Sequence, residues 1–442
     1  MPPESSRVLY PVTQTQSPLP ASVAAHLRNV ALHGQGLQDN VFIKLGDSIT
    51  DTNYFMGCFV GDVNGAAPSW EFNVYLDGRD SLAEAIFHFR SATLGRLTPF
   101  DRTSRAAKVG ATAAFPLSGR TPPLEVEFDA TRAQFALAMF GTNDLNEGGT
   151  ADFPLDRKVT PYARNLLALI DWLMVRGVVP VMSTIPPRND QAEYMGLAEV
   201  VNAVVRAIAQ GRQVPLVDFH REMMPLLDFG LGGDGIHPSI ESYNSGCHFR
   251  PDDLQYGYHT RNLVMLEGLH RVMQVVVDGQ SSLDDSAPRL GGQGTRASPF
   301  LIPSLPFSDL RDVKSARSND LDGYSCAGAR PGTGAEHVYK LTLGQPTRLR
   351  AAVVDATPIP PADAGVGVPL DVDLHLLDSS GTPAGCVKST DKVITTELAA
   401  GTWYFSVDRD LAASLAPSGE FVFVVVPCAA DDRLCAELAA AP

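Results

Sequence analysis

A serine stands in the tripeptide Gly46-Asp47-Ser48, directly after the apolar run of residues 41–45, Val-Phe-Ile-Lys-Leu. Such a run is typical of a buried strand, and ligands collect beyond the carboxyl ends of parallel strands. A hydroxyl at this place could act as a nucleophile. We expect a helix to begin soon after Ser48, with its N–H groups turned towards an anion. The plainer alternative is that Asp47 or Ser48 only caps that helix.

A serine hydroxyl is a poor nucleophile at neutral pH, so it needs a base that takes its proton. The segment Asp234-Gly-Ile-His237, followed by Pro238, offers one. A carboxylate three residues before a histidine can accept a hydrogen bond from Nδ1, which leaves Nε2 free for the serine proton. Alone, His237 could be an ordinary loop histidine. Metal ligation is a rival, but no second His or Cys stands at ligand spacing nearby.

Two further segments offer donors for the negative oxygen that forms when an ester is attacked. Gly141-Thr-Asn143 follows a second strand-like run, residues 135–140, and the amide of Asn143 can donate to such an oxyanion. Gly110 would allow its backbone N–H to approach the same oxygen closely. Either segment could instead be a plain turn or the end of an element.

The elements around these residues alternate between strand-like and helical patterns from about residue 20 to 278, which predicts a parallel α/β sheet. Residues 279–318 are rich in Ser, Gly, Pro and Asp and are predicted to be a linker. From 319 to 430, short strand-like runs separated by turn residues predict a small antiparallel β-sandwich. The predicted strands of the first domain are 41–45, 135–140, 178–183 and 214–219, and its predicted helices are 162–173, 197–208 and 258–277.

The charge balance excludes several classes of protein. The chain has 442 residues and a formal net charge of −15, from 50 acidic and 35 basic side chains, and it contains no run of Lys and Arg. A nucleic-acid partner is therefore not expected. No stretch approaches the roughly 20 apolar residues of a membrane-spanning helix, so we predict no transmembrane segment.

Six cysteines form an even set without metal-type clustering: Cys58, Cys247, Cys326, Cys386, Cys428 and Cys435. We predict one bridge in the first domain, Cys58 to Cys247, and two in the second, with the pairing of those four left open. Such bridges persist in oxidising compartments. The first residues lack the features of a secretory signal, so we interpret the chain as a mature secreted bacterial protein from which the signal has been removed. Six reduced cysteines in a cytosolic protein are the alternative.

The order of these blocks, serine, glycine, asparagine and Asp-x-x-His, resembles that of the GDSL/SGNH hydrolase family over residues 20–278. The resemblance implies a flavodoxin-like three-layer αβα sandwich around a five-stranded parallel sheet. Two features depart from the family pattern. Ile49 stands where the family name has Leu, and about sixty residues separate Ser48 from Gly110.

The resemblance also implies the role of each residue. Ser48 would be the nucleophile, His237 the base and Asp234 the acid that orients it. The N–H groups of Ser48 and Gly110 and the amide of Asn143 would form the oxyanion hole, with Asp47 in support. This chemistry needs no metal and no organic cofactor.

The second domain resembles the bacterial pre-peptidase C-terminal domain. The segments that carry this resemblance begin at Glu336, Val372 and Ala400. The resemblance implies secretion and contact with a cell surface or a glycan. Asp371, Asp373 and Asp378 could bind Ca²⁺, although such aspartates are more often solvated strand ends and turns.

Together these features predict a secreted serine esterase that acts on small-molecule or polysaccharide esters, with an O-acetyl group on a carbohydrate as the first choice. A lipid-ester hydrolase, such as a lipase or phospholipase, is the first alternative. A non-catalytic glycan-binding surface protein is the second. Ser325, in Gly-Tyr-Ser-Cys-Ala, is a weaker rival nucleophile, because the segment lacks the final glycine of an elbow motif and no buried strand precedes it.

Overall fold

A computed structural model describes most of the chain. The described residues are 7–63, 73–146, 158–241, 246–328, 332–358, 370–409, 419–428, 432 and 435. The first domain contains strands β1 (Gln38–Gly46), β2 (Asp62–Val63), β3 (Asn73–Val74), β4 (Ala133–Met139), β5 (Val179–Ser183) and β6 (Leu216–Val217). Its helices are α1 (Ala21–Leu32), α2 (Leu82–Arg90), α3 (Pro123–Thr131), α4 (Thr160–Val175), α5 (Ala192–Arg212), α6 (Phe219–Met223) and α7 (Gly257–Val276).

The parallel sheet predicted from the sequence forms the centre of the first domain. Its order is β1-β4-β5-β6, and all its pairings are parallel. The described residues give this sheet four strands, where the family resemblance implies five. Next to β1 the fifth position is occupied by one parallel bridge between Gly46 and Ala107. Turns flank Ala107 on both sides, and Gly110 at φ 76° closes the second of them, so the segment pairs at one residue only.

Helices cover both faces of this sheet, as the αβα prediction requires. Helix α7 packs with α1 and α2 and against β5 and β6. Helix α5 packs on β5 and β6, and helix α4 packs on β5. The strands are buried on both faces because they carry continuous apolar residues rather than alternating ones. Within the described ranges, no helix combines the length and the apolar composition that a bilayer crossing requires.

The β-sandwich predicted for the C-terminal part is also confirmed. One sheet has the order β13-β10-β15-β8 and the other β12-β11-β14-β9-β7, and every pairing is antiparallel except that of β7 with β9. Apolar side chains from both sheets form a second core. These strands are β7 (Phe300–Leu301), β8 (Phe307–Asp312), β9 (Glu336–Leu343), β10 (Thr347–Asp355), β11 (Val372–Leu377), β12 (Cys386–Thr390), β13 (Val393–Leu398), β14 (Gly401–Arg409) and β15 (Glu420–Pro427).

The sandwich begins inside the range that we predicted as a linker. Strands β7 and β8 lie within residues 279–318, and β8 completes one of the two sheets. Its sequence, Phe-Ser-Asp-Leu-Arg-Asp, is too polar to be recognised as a buried strand. Its Asp309 is nevertheless buried, because it accepts hydrogen bonds from Arg311 and Tyr339. We therefore propose a boundary near residue 299 in place of 318.

The sandwich packs on helices α4 and α5, so these helices lie between the two domains. The buried guanidinium of Arg212 in α5 pairs with Asp171 of α4 and Glu420 of β15. Gly211 allows the close approach of α5 to β8, because a Cβ there would lie 2.5 Å from the side chain of Leu310. A paired buried charge and close backbone packing fix the two domains against each other.

The three disulfides agree with the predicted distribution between the domains. Cys58 pairs with Cys247 in the first domain. In the second, Cys326 pairs with Cys386 and Cys428 with Cys435. The calcium ligands considered above do not meet. Asp371 and Asp373 lie at the start of β11, where Asp373 is buried, whereas Asp378 is half-buried beyond the far end of this strand.

We expect the bridge of Cys58 and Cys247 to be the most stabilising of the three, because it closes a loop with a sequence separation of 189. The double variant Cys58→Ala/Cys247→Ala should lose about 2–5 kcal/mol in the free energy of unfolding, measured by urea denaturation. The matched control is Cys428→Ala/Cys435→Ala, whose sequence separation is only 7 and whose loss should be smaller. An equal or larger loss in the control would contradict this expectation.

Candidate active site

The structure brings the three predicted triad residues together. The hydroxyl of Ser48 lies 2.8 Å from Nε2 of His237. On the other side of the ring, Nδ1 of His237 lies 2.6 Å from Oδ2 of Asp234. Ser48 is half-buried, and the side chains of His237 and Asp234 are 40% and 50% exposed. The hydroxyl of Ser48 and the imidazole of His237 are therefore within proton-transfer distance of each other, and both are accessible from solvent.

Ser48 is positioned by the tight turn that ends β1. Asp47 Oδ1 accepts the backbone N–H of Ile49 at 3.0 Å, and the N–H groups of Thr50 and Asp51 bond back to the carbonyl of Asp47. Gly46 is required here, because a Cβ would lie 2.2 Å from Thr50 Oγ1 and 2.8 Å from the carbonyl of Met139. The helix that we expected after Ser48 is a single turn, since the backbone leaves the helical path after Asp51 and regains only a short 3₁₀ helix at Gly57–Val60.

The loop of Asp234 and His237 is held by its own hydrogen bonds. Oδ1 of Asp234 accepts the backbone N–H groups of Ile236 and His237, both at 3.0 Å, so Oδ2 remains free for the imidazole. Partial burial opposes ionisation of Asp234, but these two N–H groups and the imidazole outweigh it and hold the pKa of Asp234 below its usual value. Asp234 therefore carries the negative charge that orients His237.

The predicted oxyanion donors lie on the segments beside this turn. The side-chain amide of Asn143 donates to the carbonyl of Ala111 at 3.2 Å, which leaves its second N–H available. Gly110 precedes Ala111, is exposed and has a φ of 76° that other residues rarely adopt. Lys108 donates its N–H to the carbonyl of Gly46. The segment of Gly110 is therefore fixed to the end of β1 and to Asn143.

Asp47 differs from the other acids of the site, because it is fully buried. Burial raises its pKa to about 6, although the N–H of Ile49 and the charges of Arg261 and His237 oppose the shift. Its Oδ2 has no hydrogen-bond partner among the described residues. An ionised Asp47 therefore destabilises the fold, and its cost grows with pH.

We expect Asp47→Asn to show this cost in the free energy of unfolding. Because the carboxyl keeps its proton up to about pH 6 when folded but loses it near pH 4 when unfolded, the protein loses stability as pH rises between these values. The variant lacks this group, so its stability relative to the parent should rise across that window by about 3 kcal/mol and then stay level. Urea denaturation from pH 4 to 8 measures it, and a difference that does not change with pH would contradict the expectation.

Sequence reasoning missed Arg188, which connects two parts of the site. Its guanidinium is fully buried, donates to the carbonyl of Thr142 at 2.6 Å and pairs with Asp190. The neighbouring Asn189 donates its backbone N–H to the carbonyl of Gly235 at 2.9 Å. One short segment thus contacts both the residue before Asn143 and the loop of the histidine. The signal was present, since Pro-Pro-Arg-Asn-Asp closely follows β5 at the same edge of the sheet.

Arg261 was also missed, because its position in α7 suggests only a helix residue. It is fully buried, and it donates to the carbonyl of Ile49 and, at 2.8 Å, to Thr50 Oγ1. Its guanidinium stacks on Phe55 at 3.8 Å. Arg261 therefore stabilises the turn that carries Ser48. Its positive charge also opposes the rise in the pKa of Asp47.

Comparison with known families agrees with this geometry. Residues 45–244 match the family model of the GDSL-like Lipase/Acylhydrolase family. The predicted resemblance to GDSL hydrolases is confirmed. The matched range contains the segments of Ser48, Gly110, Asn143 and His237. No curated protein matches the chain.

Several solved structures are similar to parts of the chain. An acetylxylan esterase from Geobacillus stearothermophilus shares 17% identity over 53% of this chain and 95% of its own, with a TM-score of 0.33. A GDSL-like lipase from Bacteroides thetaiotaomicron shares 14% over 57% and 98%, with a TM-score of 0.30. The pre-peptidase C-terminal domain of a collagenase from Bacillus anthracis shares 10% over 28% and 91%, with a TM-score of 0.18.

Proposed function

We propose that this protein is a secreted serine esterase that hydrolyses carboxylic esters through an acyl-enzyme intermediate. The observation that carries the proposal is the chain of contacts from Ser48 Oγ to His237 Nε2 and from His237 Nδ1 to Asp234. Membership of the matched range in a lipase and acylhydrolase family supports the same class of reaction.

In the proposed reaction, His237 and Asp234 act first in the formation of the acyl-enzyme and again in its hydrolysis. His237 Nε2 takes the proton of Ser48 while Oγ attacks the acyl carbon, and Asp234 stabilises the imidazolium that forms. The oxyanion accepts hydrogen bonds from the N–H groups of Ser48 and Gly110 and from Asn143. The alcohol leaves with the proton from His237. Water, deprotonated by the same nitrogen, then attacks the acyl-enzyme and releases the acid.

We expect Asn143→Ala to lower kcat by about 100- to 1,000-fold with little change in KM, because the amide donates mainly to the charged oxygen of the transition state. Asn143→Asp should lower it at least as much, since it places an acceptor where a donor is needed. Steady-state kinetics on p-nitrophenyl acetate measure both. A loss in kcat below tenfold in both variants would show that Asn143 is not part of the oxyanion hole.

The proposed substrate carries a short acyl group on a carbohydrate. A cavity of about 210 Å³ is lined mainly by polar side chains, among them Thr50 and Asp51 of the turn after Ser48, although neither Ser48 nor His237 lines it. Such a lining suits a hydroxylated alcohol better than an acyl chain, which would need apolar walls. The cavity is lined by Lys44, Thr50, Asp51, Thr52, Asn53, Asp101, Thr103, Ser104 and Ala107.

Location and partners are proposed on separate grounds. Three disulfides among the described residues are compatible with an oxidising compartment, which supports secretion. The C-terminal sandwich is proposed to contact a cell surface or a glycan. This contact would add to the esterase activity and would not replace it.

A substrate panel tests the proposal. The full chain is assayed on p-nitrophenyl esters from acetate to palmitate, on acetylated xylan and on phospholipid vesicles. We expect the highest kcat/KM on acetate and release of acetate from the xylan. A maximum at long chains or on vesicles would favour the lipid-ester alternative, and glycan binding without hydrolysis of any ester would favour the non-catalytic one.

A further inference from the structure

Three side chains of metal-ligand type meet in the segment between the histidine loop and α7. They are Glu241, His248 and Asp253, and one ligand atom from each lies within 4.8 Å of the other two. All three residues are half-buried. Glu241 follows His237 by four residues. The cluster is thus next to the proposed base, although none of its members belongs to the triad.

The fold holds two of these residues in place. His248 follows Cys247, whose disulfide ties the segment to Cys58. Tyr75 bonds to both sides of His248, donating its N–H to the carbonyl of Cys247 and accepting the N–H of Phe249, both at 3.0 Å. The backbone N–H of Asp253 bonds to the carbonyl of Arg250 at 3.0 Å in a tight turn. A site whose ligands are already fixed loses little entropy on binding an ion.

One carboxylate oxygen of this cluster is buried without a hydrogen-bond partner among the described residues. It is Oδ2 of Asp253, and Nδ1 of His248 lies 4.0 Å from it, which is too far for a hydrogen bond. The fully buried ring of His259 lies 5.6 Å from that of His248, and its Nε2 also has no hydrogen-bond partner in the described part of the chain. A buried polar atom without a partner costs free energy, and a cation bound to Asp253 would recover that cost at its Oδ2.

The charges of the cluster also suit a cation. The imidazole of His248 can offer one ring nitrogen as a ligand, and the carboxylates of Glu241 and Asp253 each offer one oxygen. Two acidic side chains therefore stand against one imidazole. The guanidinium of Arg250 stacks on the ring of Tyr75 at 4.3 Å.

We propose that Glu241, His248 and Asp253 bind one divalent transition-metal ion, with Zn²⁺ preferred. One imidazole nitrogen and two carboxylate oxygens form a donor set typical of such ions, whereas Ca²⁺ takes six to eight oxygens. Ligand atoms around a tetrahedral zinc lie about 3.3 Å apart, so ligand atoms that are within 4.8 Å of one another need to approach by at most about 1.5 Å.

The ion has a structural role, and the inference does not depend on the proposed function. Binding connects Glu241, on the same loop as His237, to a segment fixed by the disulfide of Cys247. The ion therefore stabilises the loop of the base without touching the reacting atoms.

The test uses the full chain freed of metal with EDTA and titrated separately with ZnCl₂, MnCl₂ and CaCl₂ by calorimetry, with Tm measured in parallel. We expect one Zn²⁺ per chain, a rise in Tm and weaker binding of Ca²⁺. Asp253→Asn and His248→Gln should each weaken binding by at least about tenfold and remove the rise in Tm. The matched control is Asp252→Asn, an exposed neighbour outside the cluster, which should bind like the parent.

Three results would overturn the inference: no saturable Zn²⁺ binding, tighter binding of Ca²⁺ than of Zn²⁺, or unchanged binding in both cluster variants. Circular dichroism establishes that each variant is folded. If Asp253→Asn fails to fold, His248→Gln decides, because it removes the imidazole ligand without introducing a charged side chain. Esterase activity is not the readout, so a failure of the proposed function leaves this test intact.

Discussion

Replacing Ser48 by alanine should reduce ester hydrolysis on the order of a million-fold in kcat, to the level left by binding and oxyanion contacts alone. The reason is that no other described group lies at 2.8 Å from His237 Nε2 in position to attack an acyl carbon. Binding of the ester should change much less, because the hydroxyl contributes to bond formation rather than to affinity. Stopped-assay kinetics on p-nitrophenyl acetate measure the loss.

The matched control is Ser325→Ala, which removes the rival nucleophile. Ser325 is exposed in the second domain, and its hydroxyl donates to the carbonyl of Ala384 at 3.2 Å. We expect parental activity in this variant. Full activity in Ser48→Ala, or a large loss in Ser325→Ala, would assign the nucleophile to another residue.

Asp234→Asn should lower kcat between about a thousand- and ten-thousandfold. The substitution keeps the shape of the side chain but replaces the negative charge that holds the proton on His237 Nδ1. The imidazole can then adopt the wrong tautomer, and the imidazolium loses its counter-charge. The loss in kcat should not exceed the loss expected for a fully buried acid, because Asp234 is 50% exposed and water can partly replace its charge.

Asp228→Asn is the matched control for this second prediction. Asp228 is exposed on the preceding turn, and its φ of 49° is one that asparagine tolerates. Activity should remain within a few-fold of the parent. A similar loss in both variants would mean that the substitution disturbs the turn rather than the charge on His237.

Strands with continuous apolar sequences could be predicted, because burial on both faces leaves a clear pattern. The runs in β1, β4 and β5 are of this kind, and they place Ser48 and Asn143 beyond the carboxyl ends of adjacent strands. The sheet of the first domain could therefore be predicted from continuous apolar runs, and the site residues could be predicted from short polar motifs at the strand ends.

Features that depend on tertiary contacts could not be predicted in the same way. Strand β8 is buried by pairing with β15 and by the approach of Gly211, neither of which leaves a mark in its polar sequence. The turn after Ser48 is fixed by Arg261, more than 200 residues away. The sequence indicates only that Arg188 lies in a loop, and its hydrogen bond to the carbonyl of Thr142 is evident only from the structure. Contacts between residues far apart in the chain determine the burial of β8, the turn after Ser48 and the position of Arg188.

Covalent labelling tests the account most directly. The full chain is treated with a fluorophosphonate, and the modified peptide is identified by mass spectrometry for the parent and for Asp234→Asn. We predict one phosphonate per chain, on Ser48, formed much more slowly in the variant. A folded protein that stays unlabelled, or that carries the label on Ser325 or another serine, would contradict the central claim that Ser48 is activated by His237.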